Sequence, residues 1–300
     1  MERLPTEIVV HIFSFLTTFE KYLVSKVCSS WSDIVICKCL WTKAVACVGE
    51  YDSNFKRWIV LRDVRRLHLT EDFDFRMFRP KTEYVKCATY ERLRPLLQSR
   101  TQTTKVRSLC IDDCSQMKNV DMEYLVHKMS QLEKLTLMFA SRVSSNAMYS
   151  IVKGLKKLRI LQLDHVRFTE ADIEIILKSD MAHRLTKLTL RNLWLTRQHL
   201  YANVLRKCKR LVKLELDYSR ELTITHFNNM MTNLGPYMTY ICFYVKNFEK
   251  DSIRIKSLMY CYFLSTNGQP RKVYIFIKRG NLTKCMRWKN VCVQMESGVW

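Results

Sequence analysis

The chain has 300 residues, enough for one or two domains, and an apolar fraction of 48% with only 6 Gly and 5 Pro argues against a disordered or collagen-like protein. Its 50 Lys and Arg outnumber 28 Asp and Glu, and the net charge of +22 favours acidic partners, whether nucleic acid, anionic membrane or acidic protein. The start lacks a basic and apolar leader pattern, and no stretch approaches ~18 uninterrupted apolar residues, so we expect neither a signal peptide nor a transmembrane helix.

Residues 4–41 predict three short helices. Pro5 suits the first turn of a helix, where its missing N–H has no partner, and Glu7 adds a favourable negative charge there. Apolar positions then recur along two sets: Ile8, Ile12 and Leu16, with Phe13 beside them, followed by Leu23, Val27 and Trp31. A segment of about forty residues is near the lower size limit for independent folding. This one carries more large apolar residues than three short helices can bury, so we expect it to complete its core on another protein.

Several short motifs follow one another in this segment: Leu4-Pro5, the Ile8–Ile12–Phe13–Leu16 run, Val27-Cys28, Trp31 and Leu40-Trp41. In this order and spacing they resemble an F-box, assigned to residues 1–45, and the alternative is a plain helical hairpin that caps the next domain. The resemblance implies docking onto the Skp adaptor of cullin–RING ubiquitin ligases. The residues that it implies at the adaptor contact are Leu4, Pro5, Ile8, Ile12, Phe13, Leu16, Val27, Cys28 and Trp31.

Residues 46–63 predict a helical linker, and beyond them the chain repeats itself. The pattern L-x-x-L-x-L, with some substitutions, recurs with these central residues: Leu109, Leu135, Leu161, Leu188, Leu214 and Ile241. Their separations are all 26 or 27 residues. A second repeated pattern, an apolar residue followed by Ser or Thr, comes just before the helical stretches. It occurs at Val143-Ser144, Phe168-Thr169, Leu195-Thr196 and Leu222-Thr223. Self-similarity at this period indicates a solenoid of strand–turn–helix units.

The repeats resemble leucine-rich repeats of the roughly 26-residue class. Cys114 ends the first clear repeat and Cys208 precedes Leu211 by three residues, both as this class favours, whereas Ala140, Val166, Leu193 and Ser219 depart from its Cys/Asn preference. An ordinary α/β domain with chance leucine spacing is the alternative. The implied fold is α/β, with parallel inner strands and outer helices over residues 64–300, clearest repeats at 106–245 and an irregular C-terminal cap. Further strands are suggested at 67–69, 85–88, 273–277 and 291–293.

Strand alternation points the repeated leucines into the core and their neighbours onto a concave wall. The residues expected there to bind a target are Lys134, Gln162, Asp164, Lys187, Arg191, Lys213, Glu215, Asp217, Tyr240 and Tyr244. Equivalent residues of adjacent repeats lie ~5 Å apart, so Lys187 and Lys213 would repel by about 1 kcal/mol unless Glu215 or an external anion relieves them. The wall should be basic along one edge, acidic along the other and aromatic at its C-terminal end. The alternative is a solvated surface without a ligand.

No catalytic or metal-binding pattern stands out. The 12 cysteines form no C-x2-C pair, and the 7 histidines are dispersed. We therefore expect no cofactor, a reducing compartment (cytoplasmic, nuclear or both) and cysteines that are mostly small buried residues without disulfides.

By resemblance, the chain is the substrate receptor of a cullin–RING ubiquitin ligase and not an enzyme in its own right. The F-box would bind the Skp adaptor and, through it, the cullin and RING subunits, while the repeats would hold an unidentified target protein. One alternative is an adaptor-bound scaffold that ubiquitinates nothing. The other is a basic nucleic-acid-binding solenoid, which Asp112, Asp164 and Glu215 in the wall speak against. No membrane contact is expected.

Overall fold

The computed structural model describes residues 4–41, 44–48, 53–62, 64–69, 82–99, 103, 105–191, 199–218, 233, 235–245, 274–279, 286–288 and 291–293. The helices are α1 (Thr6–Ser14), α2 (Thr18–Val24), α3 (Ser29–Val35), a 3-10 turn (Lys38–Leu40), α4 (Ser53–Val60), α5 (Tyr90–Gln98), α6 (Asn119–Lys128), α7 (Ser145–Gly154), α8 (Glu170–Leu177), α9 (Met181–Arg184) and α10 (His199–Lys207). The strands are β1 (Val45–Val48), β2 (Arg66–Leu69), β3 (Tyr84–Thr89), β4 (Ser108–Asp113), β5 (Lys134–Met138), β6 (Ile160–Asp164), β7 (Lys187–Arg191), β8 (Lys213–Tyr218), β9 (Tyr240–Val245), β10 (Tyr274–Arg279), β11 (Met286–Trp288) and β12 (Val291–Val293).

A ten-stranded sheet runs from β1 to β10, and each strand lies parallel to the next one in sequence. The register joins the predicted central residues in one row: Leu109, Leu135, Leu161, Leu188, Leu214 and Ile241. These side chains are buried because each lies between the sheet and the helical layer that follows the strands. The predicted α/β architecture is confirmed, including strands near 67–69, 85–88, 273–277 and 291–293.

The sheet begins earlier than the sequence suggested. Residues 46–63 were expected to form a helical linker, but β1 occupies the start of this segment and pairs with β2, so that Ala46 aligns with Leu67. Ala46 is fully buried. A four-residue strand with a small central side chain has no leucine signature, and only its pairing reveals it. α4 then accounts for the helical part of the segment.

In the N-terminal helical unit, residues 4–41, the first helix begins one residue after Pro5, which had been predicted inside the first turn. Pro5 occupies the N-cap of α1, where its carbonyl accepts the backbone N–H groups of Ile8 and Val9 at 3.0 and 3.2 Å. α2 begins with a reciprocal capping box, in which Thr17 and Glu20 each satisfy the other's backbone N–H. These bonds lower the pKa of Glu20, first through the Thr17 backbone and then through its side chain.

An aromatic cluster joins this unit to the start of the sheet. Phe55 of α4 is fully buried and lies edge-on to Phe19 and Tyr22 of α2, with ring centroids 5.3 and 5.4 Å away. Trp58, one turn later, contacts Trp41 at 5.4 Å. The hydroxyl of Thr18 also donates to the Val45 carbonyl of β1 at 3.2 Å. The helical unit and the sheet therefore share one core.

Candidate protein-interaction sites

The N-terminal helical unit leaves several large apolar side chains exposed, among them Phe15, Leu23 and Ile36. The exposed ones that were predicted at the adaptor contact, which we call the apolar face, are Leu4, Ile8, Ile12, Val27 and Trp31. Ile8 and Ile12 of α1 remain 47% and 46% exposed, and Val27 is 63% exposed. Trp31 is about one-third exposed and lies edge-on to Phe13, with ring centroids 5.4 Å apart. Apolar surface gathered on so small a unit is typical of an interface with another protein.

Not every residue predicted at the adaptor contact lies on this face. Pro5 and Cys28 are exposed but are not among the large apolar side chains that define it. Leu16, in the turn after α1, is half-buried. Phe13 is a correction, because it is 4% exposed and packs inward together with Val9. Phe13 therefore supports the apolar face from behind and does not form part of it.

A second surface, which is polar and which we call the wall, lies on the strand face opposite the buried leucines. Its side chains form three rows across the strands: a first row with Lys134, Lys187, Lys213 and Tyr240, a middle row with Thr136, Gln162, Thr189 and Glu215, and a third row with Asp164 and Arg191. The first row follows the predicted register, with Lys187 aligned to Lys213 and Lys213 aligned to Tyr240. Lys187 Nζ lies 3.1 Å from Glu215 Oε1, and both side chains are largely buried at 24% and 15% exposure. Lys187 therefore has a carboxylate beside it, which offsets its predicted repulsion with the neighbouring Lys213.

The third row contains a carboxylate that connects two repeats. Asp164 is 9% exposed and aligns with Arg191, whose Nε lies 3.8 Å from Asp164 Oδ2. The imidazole Nδ1 of His165 is 2.8 Å from the other carboxylate oxygen. Further along the sheet, Lys86 Nζ reaches Asp112 at 2.8 Å, and this contact raises the pKa of Lys86.

These pairs change the expected charge pattern of the wall. A basic edge facing an acidic edge was predicted, but Lys187–Glu215 and Arg191–Asp164 neutralise charge between adjacent strands. In the middle row, uncharged side chains link β5, β6 and β7, since Thr136 donates to Gln162 Oε1 at 3.1 Å and Gln162 Nε2 donates to Thr189 at 3.5 Å, and Glu215 of β8 aligns next to Thr189. The wall is thus a set of lateral pairs that link the repeats.

Lys134 and Lys213 differ from Lys187, because neither forms an ion pair in the described part of the chain. Lys213 is exposed, and its Nζ lies 5.9 Å from the centroid of the half-buried Tyr240 ring. Asp217 and Tyr244 align with each other in β8 and β9. Their predicted side-chain roles lie outside the described side chains.

The sequence prediction missed a stacked pair of rings at the rim of the wall. Phe139 and His165 each follow a strand directly, and both adopt the left-handed backbone conformation with φ of 56° and 51°. Their rings stack with centroids 4.6 Å apart and an interplanar angle of 24°. Each ring is nearly half exposed. The signal available in the sequence was their shared position, four residues after Leu135 and Leu161. Their left-handed backbone adds a second reason for interest, because strained backbone often accompanies function.

The cysteine expectation holds only for the repeats. Cys87, Cys114 and Cys208 are buried, and burial raises their pKa, that of Cys208 to about 12. The three cysteines of the helical unit, Cys28, Cys37 and Cys39, are exposed instead. Among the residues that the structure describes, no group of three or more His, Cys, Asp or Glu side chains is placed to hold a metal ion. No helix in that part of the chain combines the length and apolarity needed to cross a bilayer.

Comparison with protein families decides the nature of the helical unit, because residues 1–46 match the family model described as F-box-like. Residues 1–46 are an F-box-like domain. Over 80% of its length the chain is similar in structure to 70% of a chain in the crystal structure of a Rad7 and Elc1 complex in yeast, with a TM-score of 0.55 and 15% identity. That likeness concerns the fold alone. No curated protein sequence matches the chain significantly. The F-box-like domain is thus followed by a solenoid-like α/β sheet.

Proposed function

We propose that this protein is the substrate receptor of a cullin–RING ubiquitin ligase. The observation that carries the proposal is the apolar face, because the exposed isoleucines and tryptophan of an F-box-like domain offer apolar surface that a partner protein would cover. A Skp-type adaptor is the partner that an F-box implies. The cullin and RING subunits would join through that adaptor, in the cytoplasm, the nucleus or both.

The mechanism in this proposal is positional and requires no catalytic residue in the chain. The aromatic cluster around Phe55 and Trp58 packs the F-box-like domain against α4, and Thr18 hydrogen-bonds to β1, so an adaptor on the apolar face would have a set orientation relative to the wall. A target held on the solenoid would then meet a ubiquitin-charged enzyme at high effective concentration.

The wall and its rim are the surfaces proposed for the target protein. Lys134 and Lys213 provide cationic groups that form no ion pair with the described residues, and Tyr240 adds an aromatic ring beside Lys213. Aromatic and cationic side chains are common in the dominant contacts of interfaces. The same wall disfavours a nucleic-acid-binding function, because Glu215, Asp164 and Asp112 neutralise basic groups that would otherwise contact phosphates.

Ile12→Asp tests the adaptor contact. Ile12 is half exposed in the free chain, so the variant should fold, but an unpaired carboxylate in the complex would cost about 3 kcal/mol and weaken adaptor binding by more than ~100-fold. Val120→Asp is the matched control, because Val120 is 56% exposed on α6, far along the chain from the F-box-like domain. Affinity should be measured by calorimetry with the purified Skp adaptor. Unchanged binding of Ile12→Asp would contradict the proposal.

A reconstituted ubiquitination assay separates the receptor from the scaffold alternative. The full chain, adaptor, cullin and RING subunits are combined with proteins that co-purify with the chain. A receptor should promote ubiquitin transfer to at least one of them, and Ile12→Asp should abolish that transfer. A scaffold would bind the adaptor normally and leave every co-purifying protein unmodified.

A further inference from the structure

Cys37 and Cys39 place two exposed thiols against each other at the end of α3. Their Sγ atoms are 2.9 Å apart, less than one ångström beyond the disulfide bond length of about 2.05 Å. The local backbone explains the approach. Cys37 has the extended angles φ −55° and ψ 125°, and the 3-10 turn starts with the next residue, which curls Cys39 back towards it. Hydrogen bonds from Leu40 N to Cys37 O and from Cys37 N to Ile34 O hold this turn.

We propose that Cys37 and Cys39 form an oxidisable dithiol that closes reversibly to an intrachain disulfide. The oxidant is a hydroperoxide, for which hydrogen peroxide is the simplest case. The Cys37 thiolate attacks one peroxide oxygen, the O–O bond breaks, and Cys37 becomes a sulfenic acid while hydroxide leaves and takes up a proton to form water. The Cys39 thiolate then attacks that sulfur and displaces a second water. Two electrons pass from the two thiols to the peroxide.

The surroundings assign different roles to the two sulfurs. Hydrogen bonds from the side chain and backbone of Cys39 lower the pKa of Cys37, whereas the same sulfur contact raises the pKa of Cys39. Because the thiolate is the reacting form, Cys37 is the attacking residue and Cys39 the resolving one. Cys28 is also exposed but has no sulfur neighbour within hydrogen-bonding distance among the described residues, so it offers the matched comparison.

The position of the dithiol couples its oxidation to the core of the F-box-like domain. Two residues before Cys37 lies the fully buried Val35, whose carbonyl accepts a 2.7 Å hydrogen bond from the indole of Trp41. Immediately after Cys39, Leu40 and Trp41 are buried. A disulfide would therefore constrain the turn between two core anchors. The chemical proposal does not depend on the proposed ligase function.

The test is peroxide titration of the reduced full chain, followed by intact mass and peptide mapping. The expected result is a monomer that loses the mass of two hydrogens, with Cys37 and Cys39 protected from iodoacetamide and both recovered on treatment with dithiothreitol. Cys28→Ser should behave like the wild type. Cys39→Ser should accumulate a sulfenic acid at Cys37 that dimedone traps, whereas Cys37→Ser should give far less adduct at Cys39.

Three results would overturn the proposal. They are a disulfide between two copies of the chain, direct over-oxidation of Cys37 in the wild type, or equal peroxide reactivity of Cys28 and Cys37. Circular dichroism of both serine variants shows whether they fold, and the wild-type mapping decides the disulfide even if one variant does not.

Discussion

At the residue scale, Glu215 controls the electrostatic balance of the wall. It lies in the row next to Lys187 and Lys213, which the register brings side by side, and it pairs with Lys187 in a largely buried position. Neutralising this carboxylate leaves Lys187 beside Lys213 without the negative charge that Glu215 supplies to Lys187. The resulting loss of folding stability should exceed the loss caused by breaking an ordinary surface ion pair, because little water screens the Lys187–Glu215 contact.

Glu215→Gln should therefore lower the free energy of unfolding by about 1–2 kcal/mol, the range of a charged hydrogen bond that is weakened but not removed. Glu174→Gln is the matched control, since it breaks the exposed Lys178–Glu174 pair on α8 and should cost only about 0.3–0.5 kcal/mol. Urea denaturation measures both values. Equal losses would show that the wall pair is no stronger than a surface pair.

Lys21 gives a prediction about pH. It is 3% exposed, its Nζ donates to the Leu16 carbonyl at 2.6 Å, and burial lowers its pKa below the ordinary 10.5. The unfolded state then binds more protons than the folded state between the two pKa values, so this group makes stability rise with pH there. At a pH below the pKa of Lys21 in the folded state, Lys21 is charged in both states, and the folded protein carries the full free-energy cost of burying that charge.

The wild type should gain stability relative to Lys21→Met as the pH rises towards 10.5, because the methionine variant has no proton to lose. Urea unfolding at a series of alkaline pH values measures this difference. Lys156→Met, at an exposed position in the turn after α7, corrects for the general effect of removing a lysine. A pH-independent difference between wild type and Lys21→Met would count against a buried charged lysine.

The positions of single residues in α1 explain why the apolar face could be predicted only in part. α1 is apolar on two sides, with Ile8 and Ile12 outward and Val9 and Phe13 inward. Helical periodicity identifies which residues share a side, but it does not say which side meets the rest of the chain. That choice depends on α3 and Trp31, which lie beyond the helix itself.

At the element scale, adjacent strands align the same leucine positions, so that each strand packs against both of its neighbours. Leu161 in β6 aligns with Leu135 on one side and Leu188 on the other, and all three are fully buried. The sequence predicted this register because each repeat buries the same positions, and a one-residue slip would expose them. It missed β1 and the left-handed residues Phe139 and His165, which depend on pairing and on turn geometry and not on leucine spacing.

Leu161→Ala should cost ~2–5 kcal/mol through the cavity that it leaves. Because each repeat is stabilised mainly by its neighbours, faster hydrogen exchange should appear in β5 and β7 as well as in β6. Lys157→Ala, in the exposed turn before β6, should leave exchange unchanged. Faster exchange limited to β6 would argue against nearest-neighbour coupling.

At the scale of the whole molecule, the F-box-like domain and the sheet share a core. The junction consists of Phe55 and Trp58 on α4, which contact α2 and Trp41. An adaptor on the apolar face and a target on the wall would thus be separated by folded protein and not by a flexible linker. A positional mechanism requires this arrangement, since a linker would let the target sample many distances from the ubiquitin-charged enzyme.

Phe55→Ala tests that requirement. Phe55 is fully buried at the junction, and its truncation should remove about 3–5 kcal/mol of packing there while leaving both the apolar face and the wall intact. We expect adaptor affinity and target capture to stay near wild type while ubiquitin transfer in the reconstituted assay falls. Leu61→Ala, at a 71% exposed position just after α4, is the control and should retain full transfer. If Phe55→Ala transfers ubiquitin as well as the control, a fixed junction is not what positions the target.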